Sequence, residues 1–432
     1  MFLSKIYNIF TNTLHNICSY FKYSTPYEFY TYIDGHKYDL SDFNHPGGDI
    51  INLAFNIDSK LLIETNHPQS SLPKIYKILN SRIIKNQSYN LESKFENNNN
   101  PFFEELNYNI SNFLKTNNYN FNSFHPLIAI ETALSVCGYL FSIYKINQTG
   151  DYWYAALNAF FTIRFGFLMH SGNHASSSPY PIVNRIISYC MDLGGASSLI
   201  WRHEHQLSHH LYTNIIGKDN DCDIGNPIIR LHPHIKHRWW HRYQLPILFL
   251  GMTFGLYKWI FAEFYTLYSR KIGSVNMKYP TKIDFIINII FKIFFLVSFI
   301  FLPTYYFGFK QAMILLFIRQ SITSLVIENI FIVNHIQPSL HSHNSEIHWS
   351  INQIKTSCNW SSNSRFFNWF TGGLNNQIEH HLFPTMNPYL YTRISPIVKN
   401  TCKKHHIPYN DFPTFWDAWI SMIKFIHRLS NE

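Results

Sequence analysis

LIAIETALSVCGYLFSIY, Leu127 to Tyr144, is a run of 18 residues, nearly all apolar and marred only by Glu131. A helix of that length is long enough to cross a hydrocarbon core about 30 Å thick. Working outward, the short polar loop KINQTGD separates it from a second run, Trp153 to Met169. A third run, Phe285 to Leu302, carries Lys292, and a fourth, Ala312 to Val333, carries Arg319 and Glu328. Ionisable residues inside such runs are costly in lipid, so they are expected to face protein, a cavity or the interface. With Trp and Tyr near their ends, the four runs predict four transmembrane helices rather than buried helices of a large soluble protein. A fifth stretch, Leu245 to Tyr257, has only 13 uninterrupted residues and contains Pro246, Gly251 and Gly255; it is expected to lie in the interface.

The composition agrees with a chain that meets lipid. Of 432 residues, 46% are hydrophobic, 18% aromatic and only 14% charged, against about a quarter charged in soluble proteins. Mean hydropathy is only −0.13, so long polar stretches must accompany the apolar ones. Disorder throughout and a small disulfide scaffold are excluded. The net charge of +9 comes from scattered Lys and Arg with no basic stripe, which suits a cytoplasmic membrane face and argues against nucleic acid. The six cysteines are far apart and form no CxxC, as incidental thiols in a reducing compartment would.

Histidine is the anomaly: 24 residues, most of them in tight clusters. HSGNH holds His170 and His174 at the end of the second run. HEHQLSHH holds His205, His209 and His210. QIEHH holds Gln377, His380 and His381. On a helix, His170/His174 and His205/His209 share a face at i,i+4, which lets two imidazoles reach one ion. Imidazole suits zinc, copper, iron and nickel. Seven clustered histidines exceed the four ligands of a tetrahedral zinc, so two metals are expected, with iron as the choice for a nitrogen-rich, membrane-bound site. His335, in FIVNHIQ just past the fourth run, is a further candidate ligand, and Asn334 beside it could bind through water. His203 is the alternative in the second cluster; His341, His343, His348, His405 and His406 are expected at the surface. If four runs span, all three clusters fall on one side, and the basic loop from His170 to Lys282 makes that side cytoplasmic.

The polar front of the chain carries HPGGDI, His45 to Ile50, and a second histidine, His67, in ETNHP. Pro-Gly-Gly forces a tight turn that leaves His45 free to enter a pocket. Two histidines from two segments can clamp a haem iron from both faces, which gives electron transfer.

On HPGG and ETNHP the front region resembles a cytochrome b5 domain, and the resemblance gives His45 and His67 the axial roles on haem b. One departure is IDSK (Ile57 to Lys60), where that family more often has Gly-x-Asp-Ala. HSGNH, HQLSHH and QIEHH resemble the three histidine boxes of membrane fatty acid desaturases, with Gln377 in place of the third box's first histidine. WRHEHQLSHHLYTN, DCDI, WWHRYQ and NDFPTFWDAW add to that likeness, and the combination is similar to front-end desaturases of the delta-5 or delta-4 branch. Ser171, where Asp is usual, and Cys222, where Pro is common, depart from the pattern without removing a ligand.

The resemblance implies an α+β cytochrome b5-like haem domain followed by an all-α membrane desaturase domain with four transmembrane helices and a cytoplasmic helical cap. The expected divisions are an N-terminal amphipathic segment at 1–23, the haem domain at 24–85, a flexible linker at 86–125 and the desaturase domain at 126–432. It further implies a di-iron centre with O2 as oxidant, a cis double bond (delta-5 as the first expectation) placed in a fatty acyl lipid, and an NADH-cytochrome b5 reductase as electron donor. The implied location is the endoplasmic reticulum membrane, with the catalytic face and both termini cytoplasmic. The competing readings are a sphingolipid long-chain-base desaturase or hydroxylase, a haem-containing metal transporter, and an inactive haem-binding adaptor.

Overall fold

The computed structural model describes residues 29–88, 100–123, 125–273, 275–277, 282–341 and 347–432. The amphipathic segment expected at 1–23 and His343 lie outside these residues. The front region is a three-stranded antiparallel sheet of β1 (Tyr30–Ile33), β2 (His36–Asp39) and β3 (Ile83–Ser88), in that order. Helices α1 (Lys60–Asn66) and α2 (Leu72–Asn80) intervene between β2 and β3. In β1 alternate residues turn inward, so Thr31 and Ile33 are buried. Ile33 joins Phe29, Leu40, Leu53, Leu62 and Leu79 in a small core. Two residues far along the chain, Leu207 and Leu211, belong to the same apolar cluster.

The stretch expected as a linker is in part a packed helix, α3 (Pro101–Thr116). Asn100, the last of four asparagines, caps it by accepting from the Phe103 amide at 3.2 Å, and Pro101 occupies the first turn, where no N–H is needed. Phe102, Leu106, Ile110 and Leu114 recur every fourth residue and are buried against Ile378, Leu382 and Ile394. The asparagine run hid a helix start behind the look of a tether.

The membrane part begins with an antiparallel hairpin. Helix α4 (Pro126–Thr149) ends at Gly150, which takes a left-handed conformation, and α5 (Tyr152–Asn173) starts with Asp151 as its cap. Short helix α6 (Pro181–Ser188) follows. Helix α7 (Ser198–Glu204) runs through a π-helical turn, His205–His209, into His210–Tyr212. Helices α8 (Gln244–Phe254) and α9 (Lys258–Ser269) are separated by a 3-10 turn at Gly255–Tyr257. Helix α10 (Lys282–Leu296) continues through a π turn to Phe307, and α11 (Phe309–Val333) follows at once. The chain closes with α12 (Gln377–Leu382), α13 (Tyr391–Lys404) and α14 (Phe415–Asn431).

Among the described residues three helices are long and apolar enough to cross a membrane: Pro126–Thr149, Ile283–Phe307 and Phe309–Val333. The second apolar run forms α5, 22 residues long, but α5 differs in kind. It packs between α4 and α11, and it turns Asn158, Thr162 and Arg164 inward. The ionisable residues inside the runs do face protein. Glu131 pairs with Arg164, and Lys292 pairs with Glu263 at 2.5 Å. Arg319, 1% exposed, donates to Asn158 Oδ1 at 3.0 Å, Thr162 Oγ1 at 3.1 Å and the Gly194 carbonyl at 2.7 Å. With no water to solvate these groups, each needs such a partner.

The hairpin closes tightly at Gly138, where a Cβ would fall inside the Phe161 ring. Gly138→Ala is therefore expected to cost about 1–3 kcal/mol through overpacking, read as a lower Tm of the detergent-purified protein. Gly251→Ala, where the nearest atom to a new Cβ is Ile229 Cδ1 at 3.9 Å, is expected not to lower it.

Candidate active site

Four elements deliver imidazoles to one buried region: the end of α5, the π turn after α7, the residue just past α11, and α12. All eight histidines proposed from sequence as ligands meet there. His170, His174, His205, His210 and His380 form one group, and His209, His335 and His381 form a second; in each group the ligand nitrogens lie within 4.8 Å of one another. The groups adjoin, since the His210 and His381 rings stack with centroids 4.3 Å apart.

Expectation placed His205 and His209 on one ion, and with Asp221 they do form a further group whose ligand atoms lie within 4.8 Å of one another. The π turn in addition brings His205 and His210, five residues apart, to the same side with their Nε2 atoms 3.0 Å apart. His380 Nε2 approaches His210 Nε2 at 3.1 Å.

The back nitrogens are held by the protein. His209 Nδ1 meets Asp219 at 3.2 Å, and His335 Nδ1 donates to the Thr356 carbonyl at 2.9 Å. His381 Nδ1 meets Gln353 Oε1 at 2.7 Å, and His380 Nδ1 meets the Tyr391 hydroxyl at 3.3 Å. Such contacts fix ring orientation and turn Nε2 toward the centre. His381 Nε2, His170 Nε2 and both nitrogens of His174 are buried with no hydrogen-bond partner. Orphaned buried nitrogens aimed at one another are costly unless something else takes their lone pairs. Eight nitrogens in two adjoining groups fit two metal ions, and nitrogen donors suit iron.

Burial holds His205, His210, His380 and His381 well below the usual imidazole pKa, so each is neutral with a lone pair to give. His209 differs. Burial disfavours its charge, but the Asp219 and Asp221 carboxylates outweigh burial and push it up to about 9.

Gln377 lies in neither group. Its Nε2 sits 2.9 Å from His335 Nε2, and its Oε1 accepts from Asn334 at 3.1 Å. Its amide thus meets a neighbouring candidate ligand. Asn334 is fully committed to protein: it also donates to the Leu374 carbonyl at 3.0 Å and accepts from Trp360 Nε1 at 2.8 Å. His203, His341, His348, His405 and His406 join neither group. His203 is nonetheless buried, with Nδ1 bonded to the Leu199 carbonyl at 2.8 Å.

Several contributors escaped sequence reading. Asp219, Gln353 and Tyr391 are separated from the boxes they serve. Glu379 anchors α12 from behind, accepting from Tyr409 at 2.8 Å and Asn359 at 2.7 Å; burial still pushes its carboxyl up to about 7. Asp219 alone carried a signal, ten residues past His209 in the DNDCD acidic run. The Ser171 hydroxyl donates to the Phe167 carbonyl of its own helix at 3.4 Å.

A cleft opens against the centre. Met169, Trp201, Trp259, Ile327 and Phe331 give it an apolar side, Glu204, Asp221, Lys258 and Glu328 line it as well, and His205, His209 and His335 form part of its wall. Trp201 stacks on His205 with centroids 4.1 Å apart.

In the front region the His45 and His67 rings face each other with centroids 5.9 Å apart. Gly47 N donates to His45 Nδ1 at 3.1 Å, and His67 Nδ1 meets the Ile63 carbonyl at 2.9 Å. The loop folds so closely on His45 that a Cβ at Gly47 would lie 2.8 Å from its Cε1, so a larger residue here would displace the ring. Burial pushes His45 down to about 4 and lowers His67, leaving two neutral imidazoles across a gap. That donor set fits a haem iron.

This combination, an imidazole-walled metal site beside a cleft with an apolar side among long apolar helices, defines a membrane oxidoreductase acting on lipid. The pattern of the fatty acid desaturase family matches residues 150–413, and the chain belongs to that family. It is similar to an acyl-lipid (8-3)-desaturase of Physcomitrium patens, 29% identical over 429 residues, covering 92% of this chain and 87% of the relative. It also resembles Delta(5) fatty acid desaturase A of Dictyostelium discoideum, 27% identical over 465 residues, covering 99% and 96%. An sn-1 linoleoyl-lipid 6-desaturase of Arthrospira platensis is 29% identical over 344 residues, covering 76% of this chain and 92% of the relative.

If Asp219 orients His209, Asp219→Asn should lower retention of non-haem iron about 10–100-fold, measured by iron content against a graded chelator. Unchanged retention would remove Asp219 from the site.

Proposed function

We propose that the protein is a front-end desaturase that places a cis double bond, delta-5 as the first choice, in a long and already unsaturated acyl chain carried as a lipid or thioester. The observation that carries this reading is the convergence of eight buried imidazoles in adjoining groups, three of which, His205, His209 and His335, form part of the wall of a cleft with an apolar side. Lipid-acting relatives named for 8-3, Delta(5) and 6 positions support the class. Abstracting hydrogen from an unactivated methylene needs an oxidant that side chains cannot supply, and two irons bound by these histidines would supply it by activating O2.

The chain's own residues do the rest. His170, His174, His205, His210 and His380 would hold one ion, and His209, His335 and His381 the other. Gln377, itself held by Asn334, positions His335 directly through its amide. Met169, Ile327 and Phe331 would hold the acyl chain on the apolar side of the cleft, and Trp201 and Trp259 would narrow it. His45 and His67 would hold haem b in a domain spanning about 24–85, and an NADH-cytochrome b5 reductase would refill it. We assign a fourth crossing to α5, which puts both termini and the whole site on the cytoplasmic face of the endoplasmic reticulum membrane.

The test is expression in a host without polyunsaturated lipids, fed a panel of fatty acids and read by mass spectrometry. The expected product has one new cis bond on the carboxyl side of an existing one. Products from sphingoid bases alone would overturn the assignment.

Two substitutions divide the site. His209→Ala is expected to abolish product while the haem spectrum stays low-spin. His67→Ala is expected to lose the low-spin spectrum, and activity would fall only partly where the host supplies free cytochrome b5. An unchanged spectrum in His67→Ala would refute the axial pair.

A further inference from the structure

The front domain touches the rest of the chain through its two histidine-bearing segments. From the HPGGD turn, Asp49 reaches across to two arginines. It pairs with Arg185, at the end of α6, and with Arg202 Nη2 at 3.3 Å, in α7. Arg185 is shared with Asp284 at the start of α10 and receives further support from the Tyr189 hydroxyl at 2.5 Å. Asp49 is 5% exposed, and Arg185 and Arg202 are each 8% exposed. From the other segment, the Asn66 carbonyl, next to His67, accepts from Thr385 Oγ1 at 3.0 Å; Thr385 lies four residues past His381. Between these polar contacts, Leu207 and Leu211 enter the front domain's apolar cluster.

Leu207 and Leu211 alternate with His205, His209 and His210 along one helical stretch. One side of that stretch faces the metal groups and the other closes the core of the front domain. A helix with its side chains is about 10–12 Å across, so a single helix separates the two.

We propose that the front domain is permanently seated on the back of the second histidine box, held by the Asp49–Arg185–Arg202 cluster, and that electrons cross to the iron site through this seat. The proposal rests on the haem and iron assignments above. A tethered domain that collides and departs would use solvated, reversible charge pairs. Here two aspartates and two arginines are buried together, and removing one partner of such a cluster leaves an uncompensated buried charge. The electron balance is simple. One electron lost by ferrous haem in the seated domain would reduce one ferric ion across the helix, and an external one-electron donor, dithionite in the test, refills the haem.

The seat is tested in the full chain carrying a protease site inserted within 89–99. The purified protein is cut in detergent and run on gel filtration, with the two fragments followed as protein bands. The front fragment is expected to stay with the membrane fragment at low and at high salt, because buried pairs are poorly screened. In Asp49→Ala, and independently in Arg185→Ala, it should separate, reflecting at least tenfold weaker association. Separation of the cut wild type, or retention in both variants, would overturn the seat. The bands report the seat whether or not haem is present, whereas the absorbance spectrum of the uncut wild type reports the haem assignment alone. In the uncut protein, reoxidation of dithionite-reduced haem after adding O2 and an unsaturated acyl-CoA should slow at least tenfold in Asp49→Ala, with its oxidised spectrum unchanged. An equal rate would overturn the electron route.

Discussion

Everything in this protein depends on keeping eight imidazoles buried and aimed at one another. A buried polar ring is costly when unpaired. The protein meets that cost from behind. Asp219, the Thr356 carbonyl, Gln353 and Tyr391 occupy the outer nitrogens of His209, His335, His381 and His380, which turns the inner nitrogens toward the centre, where that of His335 also meets the Gln377 amide. The supporting groups come from loops and helices far apart in the chain, which ties the whole helical cap to the centre. Glu379 shows the same logic one layer out: its buried carboxyl is gripped by Tyr409 and Asn359, and the helix bearing His380 and His381 cannot turn.

The same constraint shapes the membrane part. Helix α5 ends in two of the histidines, so it must stand in the middle of the bundle, between α4 and α11. Its central position explains why it is the least lipid-like of the long helices. Asn158 and Thr162 meet Arg319, and Arg164 meets Glu131, so the polar groups that weaken its apolar signal are those that lock it to its neighbours.

Much of this was legible in the sequence, for identifiable reasons. Box histidines announce themselves because metal ligation demands one residue type at short spacing, and His335 was reachable because it directly follows an apolar run. The HPGG turn was readable because Gly47 packs directly beside the His45 ring, where a Cβ would crowd it. Other features were illegible for equally physical reasons. The π turn cannot be read from residue types, and it brings the Nε2 atoms of His205 and His210, five residues apart, to 3.0 Å. Helix α3 was mistaken for tether because its cap is the end of an asparagine run, although Phe102, Leu106, Ile110 and Leu114 kept helical period. Asp49 looked like part of a haem turn, yet its carboxylate faces Arg185 and Arg202, which only the tertiary fold brings near.

The central claim is that the two imidazole groups hold two irons in a chain that separately binds one haem. Total iron in the purified protein, measured together with extractable haem, tests it most directly. The account predicts two non-haem irons per chain in addition to the haem iron, one for each group of histidines. Iron equal to haem alone, or a single non-haem iron in protein with full desaturase activity, would contradict it.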